Sequence, residues 1–451
     1  MNDFNHELMQ RLDAIREQGL LRELRRVDSP QSPRVEVGGR ELLNFSSNDY
    51  LGLANEPALK EAAIQAVERY GAGAGASRLV CGSLAPHQEL DEALATFKGT
   101  EATLTFSTGY AAAVGTICAL LGKEDVIITD KLIHACFVDA ARLCGATVRV
   151  FAHNDLGDLE EKLREAEREV RRPKPEGRSG KRRALVVTES VFSMDGDHAP
   201  LREIVAVKEK YGAWLMVDEA HATGLYGANR RGLAEELGVS ERIEVQMGTL
   251  GKALGAAGGY ICGSRSLVDY LINRARTFIF STAPVPASAA AATAGVRFVQ
   301  SSAGEERRQK LWQNVSRLST PEPIAGAGSG GGNDVSPLTP SLSPSEGERV
   351  PFRAGDGNVE GAPGGQRSGR PIPPIAPPTT RSAIIPIMIG EENNAVAAAA
   401  ALRGQGIFIP AIRYPTVARG QARLRLTLSA AHTEADLAQL LTALKSLDFS
   451  L

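Results

Sequence analysis

Between about residues 58 and 265, short apolar runs closed by polar residues alternate with longer stretches of helical period. "ATLTFST", "DVIITD", "ATVRVFA", "RALVVTES", "GAWLMVDEA" and "IEVQMGT" read as strands, and "ALKEAAIQAVERY" and "GYAAAVGTICALL" as helices. Such alternation predicts an α/β fold with a mostly parallel sheet between helices. Functional groups are then expected just past the carboxyl ends of the strands. Upstream, residues 5–26 read as an amphipathic helix, followed by a hairpin-like segment, "PRVEVGGRELLNFSS". Downstream, "SAIIPIMIG", "ENNAVAAAAALRGQG" and "RLRLTLSAAHTEADLAQLLTALKSL" repeat strand, helix, strand, helix, which predicts a smaller α/β unit.

The pattern is lost between 321 and 380, a block holding 12 of the 24 prolines and 12 of the 46 glycines. That composition cannot bury enough apolar surface to offset its chain entropy, so a disordered insertion is expected at about 321–378. The expected organisation is an N-terminal arm (1–50), a large domain (51–290) and a C-terminal domain (291–451) interrupted by the insertion.

Charge narrows the function classes. A formal net charge of −2 over 451 residues creates no global field for nucleic acid or an anionic membrane. The basic run "REVRRPKPEGRSGKRR" (168–183) adjoins an acidic helix-like stretch and reads as solvated. Five scattered cysteines without a CxxC pair suggest neither a disulfide framework nor a metal site. With no long apolar run or secretion signal, a cytoplasmic protein is expected.

Two motifs mislead. "GAGAGA" (71–76) fits a loose dinucleotide pattern but follows a helix instead of a strand. "GTLGKA" imitates a phosphate loop, yet Gln246 and Ala253 stand where its glycine and hydroxyl belong. The strand ends offer a coherent set instead: Gly109 and Tyr110 at a helix start, His134, Ser190 and Ser193, Asp218, His221, Thr249 and Lys252. Each alone has an ordinary explanation as a cap, a satisfied core residue or a solvated charge. Together they supply an anion cradle, a carboxylate, two imidazoles and a lysine in an apolar loop. Pyridoxal 5′-phosphate needs those parts: an amine of lowered pKa, a carboxylate for the ring nitrogen, a face to stack on and amides for the phosphate.

"NFSSNDYLGLA", "FSMDGDHAPL", "VDEAHATGLYG", "GTLGKALGAAGGY" and "YPTVARGQARLRLTLSAAHT" resemble the α-oxoamine synthases, fold-type I pyridoxal-phosphate enzymes with a large domain and a smaller C-terminal α/β domain. The resemblance covers nearly all of the chain except about 321–378. It implies that Lys252 carries the cofactor, Asp218 pairs with its ring nitrogen, His221 approaches its phenolic oxygen and His134 stacks on the ring. Ser193 and Thr249 would add polar contacts, and the Gly109–Tyr110 turn would seat the phosphate. A homodimer with the site at its interface is implied, Ser281 or Thr282 reaching the partner's phosphate.

For substrates, the resemblance implies Arg22 or the nearby Arg25, Asn48, Thr416, and Arg423 as a carboxylate clamp. Of the strand pair Arg423 and Arg425, one is expected to face the site. No metal is implied. The implied reaction condenses L-alanine with pimeloyl-CoA or a pimeloyl carrier protein, releasing CO2 and giving 8-amino-7-oxononanoate for biotin synthesis. The alternatives are a sister synthase joining glycine to acetyl-CoA, and a non-catalytic scaffold subunit, which would be expected to lack Lys252.

Overall fold

The strands Ala102–Phe106 (β3), Val126–Asp130 (β4), Ala184–Glu189 (β6) and Trp214–Asp218 (β7) are mostly apolar and buried at nearly every position, as expected of strands covered on both faces. Leu215 and Val217 of β7 enter one core while Met216 enters another on the opposite face. The computed structural model describes residues 3–171, 181–319 and 381–447. Within them, the four strands join Thr147–Phe151 (β5), Val245–Thr249 (β8) and Gly259–Gly263 (β9) in a seven-stranded sheet of order β3-β9-β8-β7-β6-β4-β5.

The expected parallel sheet is present, with one exception: β9 runs antiparallel to both neighbours. The pattern along the chain does not predict it, because "GGYICG" is short and glycine-bounded. Its pairing needs close backbone approach, since a Cβ on Gly259 would lie 2.5 Å from Gly109 Cα.

Two smaller sheets complete the framework. Ile384–Gly390 (β10) and Ala422–Thr427 (β13) pair antiparallel, and Ala411–Ile412 (β12) pairs on the other side of β13. The strand–helix–strand–helix reading of the tail therefore holds, with helices at Glu392–Gly404 and Glu434–Lys445. The hairpin expected near residue 33 forms from Arg34–Val37 (β1) and Arg40–Asn44 (β2). It also pairs in parallel with Ile407–Phe408 (β11), so this early segment joins the tail of the chain.

A second element differs from expectation. The N-terminal helix (α1) spans Asp3–Glu17, not 5–26, and buries none of its residues. Gly19, at φ 67°, turns the chain away, and Arg413 binds the carbonyls of Gly19 and Leu21. All of the Pro/Gly/Ser block (321–378) and part of the basic run (172–180) lie outside the described residues. Among the described residues, no helix is long and apolar enough to cross a membrane.

Candidate active site

The carboxyl ends of β3, β4, β6, β7 and β8 share one rim, and the sequence-selected groups gather there. After β8 the chain makes a tight loop carrying Lys252 before returning as β9. The Thr249 hydroxyl donates to Gly258 O (3.0 Å), Leu250 N donates to the same oxygen (3.0 Å) and Gly255 N donates to Lys252 O (2.9 Å). Gly255 has φ 68°, and a Cβ there would meet the backbone of Leu53 at 2.6 Å. Only glycine lets the loop close this way.

Lys252 Nζ lies 2.8 Å from His221 Nε2, and His221 Nδ1 lies 2.5 Å from the Tyr50 hydroxyl. The chain of contacts continues through Asn48 Oδ1, 3.4 Å from Tyr50, to Arg425 Nη1, 3.1 Å from Asn48. Arg425 Nε donates to Ser193 O (2.5 Å). The structure thus links Lys252, His221, Asn48 and the Ser193 loop, all singled out from sequence, through Tyr50 and Arg425.

Burial lowers the Lys252 pKa, opposed by the charges of Asp218 and Glu189 and reinforced by Arg425. His221 is held well below the usual imidazole value by burial and by Lys252, Arg425 and His134. It is neutral near pH 7, with one ring nitrogen available to accept. Burial also raises Asp218, opposed by Lys252 and the Ala220 amide. Glu189, fully enclosed beside Asp218, is raised by burial and by that neighbouring carboxylate.

Asp218 gives the clearest test of whether the site fits pyridoxal phosphate. Its side chain is 7 % exposed and accepts from Ala220 N (2.8 Å), and among the described residues it has no ion pair. A buried carboxylate without a cation is costly, and a pyridinium N–H would satisfy it. The helix Gly109–Leu120 starts at the same rim, with Thr108 capping Ala111 N (3.0 Å). The Gly109 and Tyr110 amides, in its first turn, have no intrahelical acceptor and suit a phosphate.

His134 caps the next helix, Ala135–Cys144, and its amide donates to Glu189 (2.7 Å). His134 is solvent-exposed, yet partial desolvation and the charge of Lys252 lower its pKa, opposed by Asp218. The Cys136 amide donates to its Nδ1 (3.2 Å). The residues present therefore fit the cofactor.

Other sequence-selected residues lie elsewhere. Arg22 Nη2 donates to Tyr414 O (3.3 Å), placing it beside the turn that carries Thr416. Arg25 approaches Arg413 and Arg403, where its charge lowers both guanidinium pKa values below the level set by burial. Ser281 and Thr282 adjoin Ser77, bridged to Thr282.

Arg423 and Arg425, of which one is expected to face the site, both turn into the protein from β13. Strand residues two apart share a face, and both are buried, at 6 % and 7 % exposure. Their partners separate them: Arg423 is ion-paired with Asp195, whereas Arg425 joins the Lys252 network. Glu189 and Tyr50 are not among the residues the sequence singles out, and Arg425 is there only as the alternative to Arg423. Glu189 ends a strand just as Asp218 does, and Tyr50 lies two residues from Asn48. Both signals were legible in the chain.

The class I and II aminotransferase family model matches residues 40–320 and 373–444. The 8-amino-7-oxononanoate synthase of Geotalea daltonii is 41 % identical over 444 residues, covering 98 % of this chain and 97 % of that protein. The Geobacter sulfurreducens protein of the same name is 42 % identical over 433 residues, covering 96 % and 95 %. A solved serine palmitoyltransferase variant from S. paucimobilis, with bound PLP and myriocin, superposes with TM-score 0.77 at 27 % identity, covering 98 % and 96 %. The chain belongs to the class I and II aminotransferase family, among the relatives that are 8-amino-7-oxononanoate synthases.

Proposed function

We propose that this protein is a pyridoxal-phosphate-dependent acyltransferase. It condenses L-alanine with a pimeloyl thioester, releasing CO2, to give 8-amino-7-oxononanoate for biotin synthesis. The observation that carries the mechanism is the contact of Lys252 Nζ with neutral His221 in the same buried cluster as Asp218. When bound there, pyridoxal phosphate supplies an electron sink for the carbanion formed at the amino acid's Cα.

The chain's own residues do the rest. Lys252 would hold the cofactor and then, as a free amine, take the Cα proton; burial favours that neutral form. Asp218 would hold the proton on the ring nitrogen, and His221, oriented by Tyr50, would donate to the phenolic oxygen. His134 would cover the ring face, while Ser193 and Thr249 add polar contacts. The Gly109–Tyr110 amides would take the phosphate.

Arg425, more than Arg423, is assigned the amino-acid carboxylate. Its Nη1 reaches Asn48 beside the Lys252 network, and a guanidinium fork matches two carboxylate oxygens. Arg22 and Thr416 would read the far end of the acyl chain, since Arg22 sits on the turn carrying Thr416. Ser281 or Thr282 would reach the phosphate of a second subunit in a homodimer. The acyl group would arrive on coenzyme A or on a carrier protein. The domain division at about residues 50 and 290 agrees with a large sheet built from 102–263 and a small one from 384–427.

The test is CO2 release by the purified protein from alanine plus pimeloyl thioester against glycine plus acetyl-CoA. Faster release from the second pair overturns the substrate assignment in favour of a sister synthase.

A further inference from the structure

Outside the Lys252 network, one imidazole is held by two carboxylates. His153 follows the edge strand β5, with Nδ1 2.9 Å from Asp130 Oδ1 and Nε2 2.7 Å from Asp197 Oδ2. Ionised carboxylates only accept hydrogen bonds, so both ring nitrogens donate and the ring is an imidazolium. Burial opposes that charge, but the two hydrogen bonds and both carboxylate charges outweigh it, pushing the pKa up to about 10. Asn154, at φ 56°, closes the knot: its amide donates to Asp130 Oδ2 (3.0 Å), and its Nδ2 donates to Asp197 Oδ2 (2.9 Å) and His198 O (3.2 Å). Phe192 meets the His153 ring edge-on at 4.4 Å.

The two carboxylates belong to different loops. Asp130 ends β4 and accepts from Leu132 N (2.8 Å) at the start of the turn that delivers His134. Asp197 lies in the turn after β6, closed by the Val191–His198 bridge and by Phe192 N donating to Asp197 O (3.0 Å). That turn carries Ser193, whose carbonyl holds Arg425, and Asp195, which pairs with Arg423.

We infer that His153 is a positioning residue. Its imidazolium, held between Asp130 and Asp197, fixes the His134 turn relative to the Ser193–Asp195 turn, and so sets the spacing between the cofactor face and the carboxylate-binding arginine. It touches neither substrate nor cofactor. This rests on the pyridoxal-phosphate reading of the site. Removing the bridge should loosen both turns at once, weakening cofactor and amino acid together. A purely structural role would lower melting temperature and leave both affinities unchanged.

The test uses the full-length protein with Asp197→Asn, which keeps the imidazole and Asp130 but removes one charged anchor, beside His153→Leu. Pyridoxal phosphate is titrated into apo-protein by absorbance, and KM and kcat for L-alanine are measured separately. The expected result for Asp197→Asn is a rise of about fivefold to tenfold in both the cofactor Kd and the alanine KM, with kcat changed less. Either constant remaining within about twofold of wild type in a folded variant would overturn the inference. Should His153→Leu fail to fold, Asp197→Asn decides. If the wild-type protein releases no CO2 from alanine and pimeloyl thioester, the substrate reading fails, while the cofactor titration still judges His153.

Discussion

His221 and His153 both lie just past carboxyl ends of strands in one sheet, yet one is neutral and the other charged. His221 is buried among Lys252, Arg425 and His134, which keep it neutral. His153 is only half-buried, between Asp130 and Asp197, which keep it charged. The neutral ring can pass or accept a proton beside the reacting amine. The charged ring serves as a fixed link between two loops. Residue type specifies the ability to titrate, and the neighbours choose the state.

Lys252→Ala strikes the neutral side of this comparison hardest. Turnover should fall to background and the visible absorbance of the cofactor-loaded protein should vanish; retained turnover would remove Lys252 from the chemistry. Asp218→Asn should follow, with kcat reduced on the order of 100-fold, about 2.7 kcal/mol, because the ring nitrogen loses its charged partner. Loss confined to KM would place Asp218 elsewhere.

The two arginines sharpen the same contrast. Arg425→Lys should raise the alanine KM about tenfold, since a lysine lacks the planar fork, whereas Arg423→Lys should act chiefly on melting temperature through the Asp195 pair. Equal KM effects would cancel the distinction between them. Tyr50→Phe removes one hydrogen bond from His221 and should cost about 1 kcal/mol in kcat or stability.

Stability against pH separates the two histidines directly. His153 is raised in the folded state, so its contribution is full below pH 6.5 and is lost as pH climbs through about 10. His221 is lowered, so the unfolded chain binds more protons below pH 6.5 and stability falls as pH drops there. Melting temperatures across pH 5–10 should therefore decline at both ends, and Asp197→Asn should flatten the alkaline limb. An unchanged alkaline limb in that variant would show that His153 does not carry the charge.

Much of this was legible in the chain. Runs such as "GAWLMVDEA" declared strands with polar ends, and the order of the motifs carried the family. Strand β9 was not legible, because the three residues Tyr260–Cys262 between glycines show no distinctive period and only pairing with β3 and β8 defines the strand. The length of α1 was likewise hidden, since an amphipathic pattern continues in sequence past the turn at Gly19.

The sequence by itself determined the alternation of strands and helices, the lysine in an apolar loop and the carboxylates waiting at strand ends. These follow from period and residue chemistry, which are local. Only the tertiary structure decided that Arg425 joins Lys252 while Arg423 pairs with Asp195, and that one histidine is neutral and another charged. Those outcomes depend on groups brought together from opposite ends of the chain, and electrostatic energy depends on distance in space and burial, which no local pattern encodes.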